Sequence, residues 1–287
     1  YDEALSSYSI GDTHPMKPIR LSYVAELLQS YGLFNSPKTT MIKPQTASEE
    51  DLLAFHTPEY INAVKNFNIN TNYNTPNKFN LGYGDNPIYP DMYASATLVV
   101  GASILAANHI YSGKYDAIFN IAGGLHHAMP NNASGFCIFN DPVIAIKTLM
   151  DFGLKTAYID IDCHHGDGVQ QAFYDTDQVL TISIHESGKY LFPGTGFTNE
   201  IGIGKGKGYS INIPLHPYTN DDIYLEVFEN IVPRLIDLFH PDVIVSQLGI
   251  DSHYSDPLTH LNLTVQGYSK IVHTIKTLNY PWLALGG

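Results

Sequence analysis

The sequence contains few cysteines and few basic residues. Its two cysteines, Cys137 and Cys163, are too few for a disulfide framework, so we expect a reducing, cytoplasmic setting. Lys and Arg number 15 against 28 Asp and Glu, and the net charge of −13 argues against direct binding to nucleic acid, which requires clustered basic residues. No apolar run approaches the roughly 20 residues that span a bilayer, and the first residues do not form a signal peptide. We therefore expect neither a nucleic-acid partner nor a membrane.

Carboxylates and imidazoles crowd one stretch of the chain, residues 158–168. Residues 155–161 predict a buried strand, because they contain β-branched and aromatic residues and no Gly or Pro. Side chains alternate along a strand, so Asp160, Asp162 and His164 are expected on the same side. Adjacent carboxylates are costly to bury unless a cation neutralises them, which favours a metal site over a strand end that merely caps a helix. Gly166 and Gly168 are expected to let the chain turn sharply after the strand.

Strands and helices alternate from residue 117 onward. This alternation, with apolar strands buried on both faces, predicts a parallel α/β sheet in a single domain. Strands are predicted at 117–122, 156–161, 179–184, 243–248 and 282–285. Helices are predicted at 19–31, 48–65, 92–111, 141–152, 221–239 and 265–278, and a long surface loop at 66–80 that continues over 82–90.

Glycines and polar residues follow the carboxyl ends of the predicted strands. Open parallel sheets bind ligands outside the carboxyl ends of their strands, so these residues are expected to share one site. The segments concerned are 123–127, 162–167, 185–188 with 192–196, 249–251 and 286–287.

Three of these residues form a candidate ligand set for a metal ion. Asp162 and His164 supply two ligands, and Asp251, at another strand end, is the natural third. Three protein ligands leave one position open for water, which is typical of a catalytic zinc ion that acidifies this water and polarises a carbonyl group. The thiol of Cys163 is expected to face away from the site, because side chains alternate.

Two adjacent imidazoles, His126 and His127, are candidates for proton transfer. A packed or solvated turn is the usual explanation of a His pair, but this pair follows two glycines at a strand end of the predicted sheet. Each imidazole needs an orienting partner. The carboxylates of Asp160 and Asp167 remain after the metal ligands are assigned, and we expect them in this role.

Aromatic residues on two loops flank the expected site. Facing rings of Phe136 and Phe192 would form a narrow slot for an extended alkyl chain, whereas packing into the core is an equally good alternative. Asp85, in the long loop, could bind a polar backbone at the rim, although an exposed Asp in a turn usually has no further role.

The sequence resembles the histone deacetylase family of zinc amidohydrolases, which has the arginase-like fold. The resemblance covers nearly the whole chain from about Tyr8 onward, and the string after Asp251 is most similar to the prokaryotic acetoin-utilisation branch. It implies one catalytic domain, 1–287, with three layers, α/β/α, and a mainly parallel central sheet. The strings that carry it are HPMKPIR, GGLHHA, ASGFCIFND, YIDIDCHHGDGVQQAFY, YLFPGTG, IGIGKGKGYS and GIDSHYSDPLTHLNLT.

The resemblance also implies roles for individual residues. It implies a catalytic Zn²⁺, with Fe²⁺ as an alternative, on Asp162, His164 and Asp251. It implies that His127 is the general base, backed by Asp167, and that His126 is a second, electrostatic or acid histidine, backed by Asp160. The substrate-binding residues that it implies are Asp85, Gly135 through its carbonyl, Phe136, Phe192 and Leu258, with Arg20 in an internal channel.

Structural K⁺ or Na⁺ ions are a further implication of the resemblance. The matching positions contribute largely backbone carbonyls at the outer of two sites. The inner-site positions are Asp160, Asp162, His164, Ser183 and Ile184, and the outer-site positions are Phe173, Thr176, Val179 and Tyr209.

The end of the sequence departs from the family pattern. The family continues beyond its Gly-rich strand end to a catalytic Tyr, whereas this sequence stops at Gly287, and it does not begin with Met. We therefore expect a fragment of a longer product, apparently truncated at its C-terminal end, or a chain of impaired activity.

The resemblance implies hydrolysis of an N-acetyl amide. The acetyl group would belong to a lysine side chain of a protein or to a small acetylated amine. The alternatives are an acetylpolyamine amidohydrolase, a di-metal ureohydrolase on the same fold, and a metal-binding pseudoenzyme that recognises acetylated ligands without turnover. The sequence leaves open the substrate, the choice between zinc and iron, and the oligomeric state.

Overall fold

A computed structural model describes residues 1–69, 76–82 and 84–287 of the chain. The described residues form one six-stranded sheet in which all neighbouring strands are parallel. Its strands are β1 (Ala117–Asn120), β2 (Thr156–Asp160), β3 (Val179–Glu186), β4 (Ser210–Leu215), β5 (Val243–Gln247) and β6 (Trp282–Leu285). The helices are α1 (Ile19–Ser30), α2 (Glu49–Leu53), α3 (Pro58–Ile69), α4 (Met92–Tyr111), α5 (Asp141–Asp151), α6 (Asp167–Ala172), α7 (Asp221–Phe239) and α8 (Val265–Thr277). Short 3-10 helices lie at Glu3–Leu5, Leu33–Asn35, Pro76–Phe79 and Gly204–Gly206.

The order of the strands decides which loops can meet. It is β1-β6-β5-β2-β3-β4, so β2 and β5 are neighbours in the middle of the sheet. Asp160, the last residue of β2, pairs with Gln247 of β5 on one side and with Ser183 of β3 on the other. The chain that leaves β2 therefore lies beside the chain that leaves β5, and these two segments contain the predicted metal ligands.

Apolar side chains cover both faces of the sheet. Ile159 of β2 packs in a core with Phe228 of α7 and Ile271 of α8. Its neighbour Tyr158 points to the opposite face and packs with Ile146 of α5 and residues of α4. The predicted three-layer α/β/α architecture is confirmed, and burial on both faces explains why β2 reads as a continuous apolar run.

All five predicted strands are present, but strand β4 and helix α6 were missed. β4 carries the polar residues Ser210 and Asn212, and its Pro214 is tolerated because the strand lies at an edge of the described sheet. α6 is six residues long and offers no helical period to read.

The single helix predicted at 48–65 is wrong, because the structure contains two helices there. Ser48 caps α2 and forms a capping box with Asp51. The chain then leaves the helical path, and α3 begins at Pro58, a residue that suits the first position of a helix because it lacks an N–H group. Between the helices, buried His56 contacts the carbonyl of Met129 at 3.0 Å, so a tertiary contact holds the break in place.

The loop predicted at 66–80 is partly wrong. α3 continues to Ile69, and Pro76–Phe79 forms a 3-10 helix whose Phe79 side chain is buried in the core. The described part of the continuation, residues 82 and 84–90, contains no helix or strand, in agreement with the prediction. Residues 70–75 and 83 lie outside the described residues.

Among the described helices, α4 is long and apolar enough to cross a membrane. The sequence analysis, which found no apolar run of about 20 residues, did not identify this helix as one of that length and composition. However, 56% of its most apolar window is buried inside the fold, where the helix packs on α5 and β1. Burial in the core accounts for its composition.

A glycine in α4 allows the chain before α2 to pass close to the helix. A Cβ atom at Gly101 would overlap the carbonyl oxygen of Gln45 and lie 2.7 Å from the backbone nitrogen of Ala47. That nitrogen donates a hydrogen bond to the carbonyl of Thr97 at 2.9 Å.

We expect Gly101→Ala to lower the free energy of unfolding, although Ala favours a helix over Gly by about 1 kcal/mol. The overlap involves backbone, which cannot move aside cheaply, and overpacking costs about 1–3 kcal/mol. Chemical denaturation measures the change. The control is Gln29→Ala at an exposed position of α1, which should change stability little. A Gly101→Ala variant as stable as the control would show that the segment at Gln45 is not held against α4.

Candidate metal centre and catalytic site

The predicted site residues meet at one cavity of about 440 Å³ outside the carboxyl ends of the strands. They come from segments up to 238 positions apart in the sequence, from Arg20 to Leu258. The predicted residues that line this cavity are Arg20, Asp85, His126, His127, Gly135, Phe136, Asp162, His164, Phe192, Asp251 and Leu258. Asp160 and Asp167 contact the two histidines from behind.

The three predicted metal ligands converge. Nδ1 of His164 lies 2.7 Å from Oδ2 of Asp251 and 3.1 Å from Oδ1 of Asp162, and one ligand atom of each residue lies within 4.8 Å of the others. No other group of three or more His, Cys, Asp or Glu side chains converges in this way within residues 1–69, 76–82 and 84–287. One imidazole and two carboxylates form a ligand set suited to a divalent metal ion.

The electrostatics of these three residues also suit a cation. Burial opposes the charge of Asp162, but His126 and His164 outweigh it and hold the pKa of this carboxyl well below its usual range. Burial and the charge of Asp162 together raise the pKa of Asp251 to about 7. The second carboxylate therefore ionises with difficulty beside the first, and a divalent cation between them would relieve that repulsion.

Backbone and amide groups fix the orientation of the two carboxylates. Nε2 of Gln247 donates to Oδ2 of Asp162 at 2.7 Å, and the N–H group of Cys163 donates to Oδ1 of Asp251 at 2.7 Å. The Cys163 thiol points elsewhere, toward buried Glu186. Sequence reasoning missed Gln247, and the available signal was a polar residue at the end of an apolar strand.

The paired histidines each bind a carboxylate through Nδ1. The Nδ1–H group of His126 donates to Oδ2 of Asp160, and that of His127 donates to Oδ1 of Asp167, both at 2.7 Å. Oδ2 of Asp160 also accepts a hydrogen bond from the Tyr158 hydroxyl at 2.8 Å. The two Nε2 atoms lie 3.0 Å apart, which places a single proton between them.

Neighbouring charges give the two histidines different proton affinities. Burial disfavours a charge on His126, but the carboxylates of Asp160 and Asp162 outweigh it and raise its pKa to about 9. Burial and the nearby charge of His126 lower the pKa of His127 to about 4, although Asp167 opposes this shift. At neutral pH the pair therefore consists of an imidazolium at position 126 and a neutral imidazole at position 127.

The glycines behind the histidines are required for space. Gly166 has φ −74°, and Gly168 is likewise not in the left-handed region, so the turn after the strand does not depend on the backbone freedom of glycine. A Cβ atom at Gly166 would overlap Oδ2 of Asp160 and lie 3.3 Å from Nδ1 of His126. The absence of a side chain lets the loop close on the Asp–His pair.

Two aromatic rings stand beside the reactive groups. The ring of Phe192 lies 5.0 Å from that of His127 and 6.2 Å from that of His164, both edge to face. Phe192 is 42% exposed, and so it lines the cavity rather than filling the core. Phe136 is half-buried and packs edge to face on His14 at 4.6 Å, with its own φ at +68°.

Asp85 and Leu258 lie at the rim of the cavity. Both residues are exposed. The carbonyl of Asp85 is 3.1 Å from Nε2 of buried His14, which accepts at Nδ1 from the Met16 N–H group and therefore donates from Nε2. The carbonyl of Gly135 faces the Cys137 thiol at 3.2 Å.

The predicted monovalent-cation positions form two groups at opposite ends of β3. At the inner group, Ser183 pairs in register with Asp160, and its hydroxyl is 2.8 Å from Nδ1 of His185. At the outer group, Phe173 ends α6 and Val179 begins β3. Residues Asp162, His164, Ile184, Thr176 and Tyr209 complete the two sets, and cation binding there stays a prediction.

A polar network beneath the Phe192 loop, centred on buried His165, was not anticipated from the sequence. His165 contacts the hydroxyl of Thr195 at 2.8 Å through Nδ1 and the amide oxygen of Gln170 at 3.1 Å through Nε2. The Gln170 amide then donates to Glu200 at 2.7 Å, and Glu200 accepts from the N–H group of Gly196 at 3.0 Å. The network ties the loop to α6. Its signal in the sequence was the second histidine of the CHHGD string.

Comparisons with known sequences show the family to which the chain belongs. The sequence matches the Histone deacetylase domain over residues 14–287. The acetoin utilization protein AcuC of Bacillus subtilis is 41% identical over 294 residues, covering 100% of this chain and 76% of that protein. Human histone deacetylase 1 is 39% identical over 290 residues, covering 100% of this chain and 59% of that protein.

Solved structures show the same fold. A crystal structure of an HDAC homologue from Aquifex aeolicus has a TM-score of 0.91 at 36% identity and covers 100% of this chain and 77% of its own. A crystal structure of an HDAC homologue complexed with SAHA has a TM-score of 0.89 at 37% identity and covers 98% of this chain and 76% of its own. The predicted resemblance is confirmed: the chain belongs to the histone deacetylase family.

Proposed function

We propose that this chain is the catalytic part of a metal-dependent deacetylase that hydrolyses N-acetyl amides. The substrate is an acetylated lysine side chain of a protein or a small acetylated amine. The observation that supports the proposal most directly is the juxtaposition of a three-ligand metal set with an imidazole–imidazolium pair in one cavity. Such a site can activate water and protonate a leaving group within the same volume.

Asp162, His164 and Asp251 would hold the metal ion, with Zn²⁺ the preferred species and Fe²⁺ the alternative. One imidazole and two carboxylate ligands leave room for water or substrate, as in catalytic sites. A divalent ion held there supplies Lewis acidity toward an acyl oxygen and makes water more acidic. We also propose K⁺ or Na⁺ at the two groups of positions along β3.

The histidine pair would carry the protons of the reaction. Neutral His127, held by Asp167, removes a proton from the attacking water through Nε2, once this atom has exchanged its contact with Nε2 of His126 for one with the water. Oxygen then bonds to the acetyl carbon, and the C–N bond breaks. His126, charged and held by Asp160, stabilises the negative charge that develops nearby, and a protonated imidazole of the pair donates a proton to the leaving nitrogen. The products are acetate and a free amine.

The shape of the cavity suits an extended side chain with an amide at its inner end. The rings of Phe136 and Phe192 would flank the methylene groups, and the Gly135 carbonyl would accept from the substrate N–H group. Asp85 would bind the polar backbone at the rim, next to Leu258. This arrangement corresponds to an acetyl-lysine chain that enters from solvent.

A small acetylated polyamine is the second candidate substrate. Besides the proposed metal ligands, two carboxylates, Asp85 and Asp256, line the cavity, and the whole chain has a net charge of −13. Negative charge at the entrance favours a cationic ligand. A panel of acetyl-lysine peptides and acetylpolyamines, offered to the metal-reconstituted full-length gene product, discriminates the two classes by kcat/KM. Turnover of neither class would contradict the proposed function and favour a protein that binds without reacting.

Replacement of one carboxylate ligand should abolish stoichiometric metal binding. We expect Asp251→Ala to fold normally and lose the bound ion, because two remaining ligands hold a divalent metal poorly. Elemental analysis after dialysis measures the metal content, and circular dichroism checks the fold. The control is Asp256→Ala on the same loop, which should keep one equivalent. A full equivalent of zinc in Asp251→Ala would contradict the assignment of Asp251 as a metal ligand.

The general base should matter more than the rim carboxylate. We expect His127→Ala to lower kcat/KM by about 10²–10⁴-fold, the usual contribution of proton transfer. Asp85→Ala removes the proposed hydrogen bond between the rim and the substrate backbone. Such a bond contributes about 0.5–1.5 kcal/mol, or up to about 3 kcal/mol to a charged group, so the loss of kcat/KM should be smaller. Both variants are assayed with bound metal in the full-length gene product. Comparable losses in the two variants would count against His127 as the base.

A further inference from the structure

Two buried polar residues at the start of α5 have no part in the chemistry described above. Asn140 precedes the helix as its N-cap, and Asp141 is its first residue. Both side chains are completely buried. A buried carboxylate and a buried amide are costly unless their hydrogen bonds are satisfied, so the groups that they bind show what they hold in place.

Asp141 binds the backbone just ahead of the histidine pair. Its Oδ1 atom accepts from the N–H groups of Leu125 at 2.9 Å and of Gly124 at 3.1 Å. Its Oδ2 atom accepts from the hydroxyl of Ser103, a residue of α4, at 2.6 Å. A Cβ atom at Gly123 would lie 2.5 Å from Oδ2, so this glycine lets the loop close on the carboxylate. Burial raises the pKa of Asp141 to about 6, and the carboxylate form predominates at pH 7.

Asn140 binds the same loop from its other end. Its Nδ2 group donates to the carbonyl of His126 and to the carbonyl of Ala128, both at 3.0 Å. Its Oδ1 atom accepts from the N–H group of Val143 at 3.1 Å and so caps α5. The amide therefore uses all of its hydrogen-bonding groups: one end stabilises the helix and the other holds the histidine loop.

The first turn of α6 lies against this contact. A Cβ atom at Gly168 would lie 2.6 Å from three atoms: Nδ2 of Asn140 and the carbonyl oxygens of His126 and Ala128. The residue before Gly168 is Asp167, which accepts from Nδ1 of His127. The loop with the imidazoles and the helix with the carboxylate are thus packed together at the Asn140 amide.

We propose that Asn140 and Asp141 form a clamp that positions the imidazoles of His126 and His127 on Asp160 and Asp167. The clamp acts on the backbone on both sides of the pair, through two N–H groups before it and two carbonyls at and after it. Asn140 and Asp141 are positioning residues, because neither side chain reaches the cavity. The inference rests on the proposed function for its effect on turnover, but not for its effect on the hydrogen bonds of the histidines.

Two substitutions loosen the clamp and keep the shape of α5. Asp141→Asn places an amide donor where Oδ2 faces the N–H group of Gly124, also at 3.1 Å. Asn140→Ser retains an oxygen that can cap the helix but removes the donor to His126 and Ala128. Ser103→Ala is the matched control, because it removes a hydrogen bond that Asp141 accepts from α4 and leaves the bonds from Asn140 and Asp141 to the histidine loop in place.

The measurements are made on the metal-loaded full-length gene product. We expect Asp141→Asn and Asn140→Ser to lower kcat by about 10- to 100-fold, since small misplacements of reacting groups have effects of this size. KM and metal content should stay unchanged. The low-field NMR signals of the Nδ1–H protons of His126 and His127 should shift or broaden in both variants. We expect all three variants to have a lower thermal stability than the wild type. Ser103→Ala should nevertheless keep the wild-type kcat and NMR signals.

The outcomes separate the clamp from the proposed function. Wild-type kcat and unchanged low-field signals in both clamp variants would overturn the proposal. Equal loss of kcat and equal change of signals in Ser103→Ala would also overturn it, because the effect would then follow stability alone. If the wild-type protein does not hydrolyse acetylated substrates, the proposed function fails, and the NMR signals decide the clamp without reference to activity.

Discussion

The burial of several carboxylates at one end of the sheet is the constraint on which the site depends. Asp160 is fully buried and Asp162 nearly so, and each needs a cationic or hydrogen-bonding partner. His126 and Tyr158 bind Asp160, and Gln247 binds Asp162. What these groups leave unbalanced is the repulsion between the carboxylates of Asp162 and Asp251, which a divalent cation between them would relieve.

The same buried carboxylates give the adjacent imidazoles of His126 and His127 different pKa values. His126 lies between two carboxylates and favours its charged form, whereas His127 lies beside that charge and favours its neutral form. Paired groups whose environments move their pKa values apart are suited to act as acid and base together. The difference arises from position and not from residue type, and so the loop that sets their position is as important as the imidazoles.

Close packing of loops, rather than unusual backbone torsion, explains several glycines of the site. A Cβ atom at Gly249 would overlap the carboxylate of Asp162, and one at Gly166 would overlap that of Asp160. Gly168 meets the Asn140 amide in the same way. These contacts allow segments that leave different strands to approach within hydrogen-bonding distance, which longer side chains would prevent.

The sequence by itself determined the alternation of strands and helices, the three-layer class and the family, because apolar periodicity and motif strings are local properties. It also nominated the metal ligands and the His pair, since such residues at a strand end have few structural explanations. Tertiary structure decided the break before Pro58, the edge strand β4, the role of Gln247 and the clamp at Asn140. Each of these depends on a partner distant in the sequence, such as the Asn140 amide on the carbonyl of His126, and that partner is defined when the chain has folded.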